Sequence, residues 1–162
     1  MLASCGSQAI IGQDGKPLSA DESAKVISRT INSRLDNRDY RILVSEMTPM
    51  GWGTRQLRDE WALEIHGDSI GSILPYIGRG YNIPYGSGMG LHFITRIDSY
   101  HEEEPKPDMR EITIRCHTDE DSYQYVVEVY DNGTAYISVY SRHRDMVRYS
   151  GKVDLHELYS RK

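Results

Sequence analysis

The chain has one helical repeat of apolar residues near its start. Apolar side chains recur at spacings of four, three, four and four, which predicts one face of a helix of about four turns. Ser19 followed by Glu22 forms a capping box and predicts where this helix begins. Because the stripe is narrow, we expect the helix to pack on a larger body. The stripe residues are Ala20, Ala24, Ile27, Ile31 and Leu35.

Beyond the helix, short segments alternate between apolar and polar positions, which predicts β-strands. No helical pattern separates them, which excludes a doubly wound α/β fold, and the short connections are typical of antiparallel neighbours. The sequence therefore predicts a mainly β protein. It is an antiparallel meander of about eight strands, either barrel-like or a two-layer sheet, with one N-terminal α-helix. The segments are 40–45, 61–66, 70–76, 91–97, 112–116, 123–130, 135–139 and 146–153.

The connections between these segments carry turn signals. Gly67-Asp68 and Asp131-Asn132-Gly133 predict hairpins, the second of type I′ because Asn-Gly tolerates positive φ angles. By contrast, Pro49 to Arg58 interrupts the alternation. The charged, proline-containing stretch from His101 to Asp108 predicts a surface loop.

Composition narrows the class of protein. The chain has 162 residues, which fits one domain with a tail and needs no disulfide framework. Mean hydropathy is -0.59, and no apolar run approaches the ~20 residues of a membrane-spanning helix. The net charge of -5 opposes binding to a nucleic-acid backbone.

The first residues resemble a bacterial lipobox, the motif in which a cysteine is lipidated after cleavage. Met1-Leu2-Ala3-Ser4-Cys5 places small residues before the cysteine, so we expect Cys5 to carry a lipid anchor. No apolar stretch precedes the motif, so it is either the end of a leader that begins upstream or a coincidence. We expect residues 1–18 to be this start and a flexible tether, and residues 19–162 to be a single domain.

Residues with catalytic chemistry are sparse. His66, His92 and His117 lie on predicted strands and supply the alternative of a hydrolase-type enzyme, but no metal-binding spacing occurs among the histidines. Cys116 alternates in phase with two isoleucines, which favours a buried position over a nucleophile. The stretch from His117 to Asp121 has the composition of a solvated acidic turn. We therefore expect no metal and no cofactor, and the sequence favours a non-enzymatic protein.

The segment from Pro75 to Gly90, PYIGRGYNIPYGSGMG, is rich in glycine and tyrosine. It has no phosphate-binding motif, and a strand follows it instead of a helix. One interpretation makes it a surface for a small molecule or a protein partner, and the other an ordered crossing that plugs the sheet. Trp52 between two glycines is either a stacking surface or a lid over the core. The candidate binding residues are Trp52, Arg55, Tyr76, Arg79, Tyr81, Asn82 and Tyr85.

Four motifs make the chain similar to a known family. They are Thr54-Arg55-Gln56-Leu57, Trp61 to Asp68, LPYIGRGYNIPYG over 74–86, and Asp131 to Ala135. Over roughly residues 20 to 153 the chain resembles a family of small Bacteroidetes lipoproteins, the domain of unknown function numbered forty-two fifty-one. The resemblance implies export to the cell envelope, and it brings no catalytic residues.

The resemblance and the residues together predict an envelope lipoprotein. We expect a lipid anchor on Cys5 at the periplasmic face of the outer membrane, because no acidic run follows that cysteine. The expected function is binding of a small molecule or another envelope protein through residues 75–90. The alternatives are a hydrolase or a structural component of an envelope assembly.

Overall fold

The computed structural model describes residues 8–76 and 91–159, and these form a closed antiparallel barrel. Each strand pairs with the next in the chain, and β1 pairs with β8 to close the ring. The prediction of an eight-stranded antiparallel meander is therefore confirmed, in its barrel form. The strands are β1 (Asp39–Pro49), β2 (Arg55–His66), β3 (Ser69–Leu74), β4 (Leu91–Lys106), β5 (Met109–His117), β6 (Ser122–Tyr130), β7 (Thr134–Ser141) and β8 (Val147–Val153).

The barrel has two different ends. At the end called here the helix end, β1 begins at Asp39 and β8 finishes at Val153. At the opposite end, called here the loop end, Pro49 pairs with Val147 and Leu74 pairs with Leu91. The connections after β1, β3, β5 and β7 therefore all start at the loop end.

The helix α1 (Ala20–Asp36) covers the helix end, as the apolar stripe predicts. Ser19 is its N-cap and accepts a hydrogen bond from the Glu22 backbone N–H, which confirms the capping box. Ile31 and Leu35 are buried, whereas Ala20 and Ala24 remain exposed. Arg34 donates from Nη1 to the Asp154 carbonyl at 3.1 Å, which ties α1 to the end of β8. Among the described helices, none is long and apolar enough to cross a membrane.

Residues 10–18 form a closed turn in place of a flexible tether. Ile11 bridges Pro17, the Leu18 N–H donates to the Ile10 carbonyl, and Ile10 is buried. The turn lies against α1 and the short helix α2 (His156–Tyr159). The sequence analysis did not predict α2. Residues 1–7, with Cys5, lie outside the described residues.

The barrel interior is filled by side chains. The core includes Tyr40, Tyr125 and Tyr149, all almost completely buried. Tyr125 on β6 donates its hydroxyl to Ser72 Oγ on β3 at 3.0 Å. Because β3 and β6 are not neighbours, this hydrogen bond crosses the interior. Eight strands enclose a space that side chains can fill, so a binding surface has to lie at a rim or on the outer wall.

Three local predictions need correction. β1 continues to Pro49 and β2 begins at Arg55, so the interruption predicted from Pro49 to Arg58 is only a short turn. β4 continues to Lys106, so the loop predicted from His101 to Asp108 is the end of a strand followed by a tight turn. The turn at 131–133 is not type I′, because only Gly133 has a positive φ, of 91°. Three residues connect β6 to β7, and the last of them, Gly133, takes the left-handed conformation that is typical of three-residue hairpin loops.

One close approach of backbones decides the path of β1. The register shifts between Val44 and Glu46 on both sides of the strand. Towards β8 the extra residue is Ser45, which marks a bulge there, and towards β2 the extra residues are 57–60 of β2. Opposite the bulge, a Cβ added to Gly151 would lie 1.9 Å from the Leu43 carbonyl oxygen. Glycine at 151 is therefore needed for β8 to pair with β1.

Candidate functional site

The loop end brings aromatic and basic side chains from distant segments together. Tyr76, just after β3, donates its hydroxyl to the Asp145 carbonyl at 3.0 Å. The Arg144 guanidinium carbon lies 5.4 Å from the centre of the Tyr76 ring, within the range of a cation–π contact. Tyr149 donates to the Pro75 carbonyl at 2.5 Å. These contacts attach the end of β3 to β8 and to the connection before it.

A second aromatic pair borders the same region. The rings of Phe93 on β4 and Tyr123 on β6 are stacked, with centroids 4.8 Å apart and planes at 25°. Burial raises the pKa of Tyr123, so its hydroxyl stays protonated and can donate a hydrogen bond.

A polar depression of about 240 Å³ opens between these groups, and we call it the Arg144 pocket. It is lined by Arg144 with His92, Phe93, Thr118, Asp119, Glu120 and Tyr123.

Asp121 holds the loops around this pocket in place. Its Oδ1 accepts from the backbone N–H groups of Ser122 and Arg142, and its Oδ2 accepts from that of His143. A buried carboxylate with three backbone donors is well solvated by the protein. Asp121 therefore fixes the connection after β7, which presents Arg144, against the connection after β5.

The residues predicted from the sequence are only partly described. Tyr76 does not line the pocket itself but contacts Arg144, which does. Trp52 is 57% exposed on the turn after β1, so it is not a lid over the core, and Arg55 lies 5.8 Å from its ring. No hydrogen bond, ion pair or ring contact among the described residues joins this pair to Tyr76. The remaining predicted residues lie outside the described part of the chain: Arg79, Tyr81, Asn82 and Tyr85.

Sequence analysis missed Arg144 and the stacked pair. Arg144 sits in a polar loop, where an arginine is usually solvated, and its burial depends on loops that are far apart in the chain. Phe93 carries a weak signal, because it is the single phenylalanine in the chain and begins a strand at the same end as Tyr76.

The strand-borne histidines do not form one catalytic group. His66 Nδ1 lies 2.8 Å from Asp39 at the helix end. His117 Nδ1 lies 2.7 Å from Asp98 Oδ2, at the other end of the barrel, and the hydrogen bond raises the pKa of His117. His92 packs against the Trp61 ring with centroids 5.5 Å apart. Each imidazole thus has a different neighbour.

Cys116 is a core residue, as its phase predicts. It is 2% exposed, and burial, with a smaller contribution from the charge of Asp98, raises the pKa of the thiol to about 12. The thiolate is the nucleophilic form, so this cysteine is not activated for attack.

Among the described residues, Asp154, His156 and Glu157 lie close enough to hold a metal ion. Their contacts already have a structural explanation. Asp154 accepts from the backbone N–H of His156 and caps α2, while Glu157 is paired with Arg34. Burial opposes ionisation of Asp154, yet the hydrogen bonds from His156 prevail and lower its pKa. These contacts hold the start of α2 against the end of β8 and against α1.

A larger groove, of about 620 Å³, runs along α1 beside Asp131 and Asn132. It is open and lined by small and aliphatic side chains of the exposed half of the helix, such as Ala20 and Ala24. It contains no buried charged group, so the Arg144 pocket is the stronger candidate despite its smaller volume.

The comparisons with known proteins concern the fold. A family model described as a domain of unknown function, DUF4251, matches residues 22–153. The crystal structure of a DUF4251 family protein from Bacteroides eggerthii has a similar fold, with a TM-score of 0.62. Sequence identity is 9%, and the match covers 79% of this chain and 87% of the other. No curated protein matches the chain significantly.

Proposed function

Because the chain belongs to the DUF4251 family, a domain of unknown function, we propose its role from its own geometry. It is a non-enzymatic envelope lipoprotein that binds a small molecule or another envelope protein at its loop end. The observation that carries this proposal is the convergence of Tyr76, Arg144 and the Phe93–Tyr123 pair from four separate segments. Aromatic and arginine side chains are the groups that dominate binding surfaces.

The placement of the two barrel ends supports a membrane anchor. Residues 10–18 lie against α1 and α2 at the helix end, and Cys5 precedes them closely in the sequence. A lipid on Cys5 would hold the helix end next to the periplasmic face of the outer membrane. The loop end would then point away from the membrane, where ligands and protein partners can reach it.

The hydrolase alternative has less support. The His117–Asp98 pair is exposed, and among the described residues no serine, threonine or cysteine hydrogen-bonds to the His117 ring. A nucleophile next to its general base is the geometry that such an enzyme requires.

The alternative of a structural component has one observation in its favour. Leu43 on β1, Ile73 on β3 and Ile94 on β4 are exposed, and Ile94 is 83% exposed. Apolar side chains on an outer wall suit a flat protein contact. The same residues also provide a matched control for variants at the loop end.

The proposed function is tested by crosslinking in intact cells of a Bacteroides host, followed by mass spectrometry. We expect Trp52→Ala with Arg55→Ala to reduce recovery of the bound partner about tenfold, because a stacked cation and aromatic ring are removed. Ile94→Ala truncates an exposed apolar side chain elsewhere and should leave recovery unchanged. Native mass spectrometry of the purified protein covers the case of a small ligand.

The anchor is tested in the same cells by labelling with a radioactive fatty acid. We expect label on the wild-type protein and none on Cys5→Ala. Recovery of unlabelled wild-type protein in the cytoplasmic fraction would contradict the envelope location. Equal recovery of the partner by the wild type and the Trp52→Ala, Arg55→Ala variant, with loss in Ile94→Ala, would favour the structural component.

A further inference from the structure

Arg144 is a buried cation at the loop end. The residue is 9% exposed and lies in the connection between β7 and β8. The guanidinium Nη1 lies 3.4 Å from the Tyr123 hydroxyl, and the Tyr76 ring lies beneath the group. Both contacts are weak compared with a charge-assisted hydrogen bond to a carboxylate.

No described carboxylate oxygen lies within the 4.0 Å of an ion pair with Arg144. Asp121, the buried acid close by, directs its oxygens to three backbone N–H groups instead. Residues 77–90, which continue the chain after Tyr76, contain no aspartate or glutamate in the sequence. Arg144 is thus a nearly buried cation without a described counter-ion, and an anion that entered the pocket would offset the electrostatic cost of this burial.

The pocket walls limit the kind of anion. Phe93 is half-buried and stacks on Tyr123, which is 4% exposed, so the aromatic surface at the pocket is mainly that of Phe93 and suits a flat apolar group. Asp119 and Glu120 are exposed at the rim and repel additional negative charge. One guanidinium opposite two carboxylates can accept a single negative charge better than the double charge of a phosphate.

We propose that the Arg144 pocket binds a small organic carboxylate with a flat apolar body, and that Arg144 is the residue that holds the carboxylate. This inference rests on the proposed binding function and adds the ligand class. A carboxylate accepts two parallel N–H bonds from a guanidinium, a geometry that neither a neutral amide nor a water molecule reproduces.

The test is an NMR titration of the full chain with sodium benzoate, at an ionic strength held constant with sodium chloride. We expect saturable shifts of the backbone amides around the pocket and of the Arg144 Nε–H resonance. Benzamide has the same shape without the charge and should bind at least about tenfold more weakly. Equal responses to benzoate and benzamide, or benzoate shifts that never saturate, would overturn the proposal. Tighter binding of inorganic phosphate than of benzoate would overturn the choice of a monoanion.

Two variants locate the site. Arg144→Gln should weaken benzoate binding about tenfold or more, whereas Arg142→Gln, which removes an exposed arginine of the same loop, should change it less than about twofold. Equal effects of the two substitutions would assign the binding to general charge and overturn the proposal. If Arg144→Gln does not fold, the Arg144 Nε–H resonance of the wild type decides the question.

The outcome is separable from that of the proposed function. If benzoate does not bind while Trp52→Ala with Arg55→Ala still loses its partner in cells, the ligand class is wrong and the binding function stands. If benzoate binds at Arg144 while the cellular variants retain every partner, the pocket stands and the partner-binding surface at Trp52 is wrong.

Discussion

At the scale of single residues, contacts decide chemistry more than residue type does. His117 and Cys116 are adjacent in the chain and have opposite environments. The thiol points into the core and stays protonated at physiological pH, whereas the imidazole is exposed and hydrogen-bonded to Asp98. Alternation along β5 separates the two side chains onto opposite faces of the barrel wall.

The pairing of His117 with Asp98 gives a pH dependence of known sign. The hydrogen bond and then the charge of Asp98 raise the pKa of His117 in the folded state. Its contribution to stability is therefore fully present below the pKa of the unfolded chain and is lost as the pH rises through the folded pKa.

We expect Asp98→Asn to lower the pKa of His117, because the substitution removes the carboxylate. The measurement is an NMR titration of the His117 ring protons. Asp108→Asn, at the exposed turn between β4 and β5, is the control and should leave the pKa unchanged. An unchanged pKa in Asp98→Asn would show that the pair does not form in solution.

At the scale of elements, the bulge at Ser45 explains where sequence reading stops. Before it, Tyr40, Ile42 and Val44 are buried, and after it Met47 and Pro49 are buried. The buried positions thus change from even-numbered to odd-numbered residues, so the alternation of apolar and polar residues is broken at the bulge although the strand continues. The helix, by contrast, was predictable because its cap and its stripe are local.

The bulge depends on Gly151, and this dependence is testable. We expect Gly151→Ala to lower the free energy of unfolding by about 2–3 kcal/mol or to prevent folding, because a Cβ there overlaps the backbone of Leu43. Gly71→Ala is the matched control. Its Cβ would meet nothing closer than 3.7 Å, so the change should stay within about 0.5 kcal/mol. Urea denaturation followed by circular dichroism measures both, and equal stabilities would contradict the close approach.

At the scale of the whole molecule, closure was the feature that the sequence left open. A barrel and a two-layer sheet share the same alternation, and they differ in whether the first and last strands pair. That pairing joins Ile42 to Val153, far apart in the chain. The Arg144 pocket was not predictable for the same reason, because its members lie on β4, on β6 and on the connections after β5 and β7, and they meet only in the folded barrel.

The hydrogen bond between Tyr125 and Ser72 tests the filled interior. Tyr125→Phe should cost about 1–2 kcal/mol, because the buried Ser72 hydroxyl loses its partner. Tyr125→Phe combined with Ser72→Ala should cost less than the sum of the single substitutions, since no unpaired hydroxyl remains. Chemical denaturation of the three variants gives the coupling energy. Additive effects would mean that the hydroxyls do not interact across the barrel.

Strand β4 is longer than its neighbour β3, and this has a consequence for self-association. β3 pairs with β4 only as far as Arg96, and the Ile97 N–H then donates to the Asp68 carbonyl. From Asp98 to Lys106, β4 has no strand partner on that side among the described strands. Two molecules joined there would oppose the acidic run from Glu102 to Glu104, and Pro105 has no N–H to share. Like charges and a missing donor therefore protect the protein from fibril-like stacking along this margin of β4.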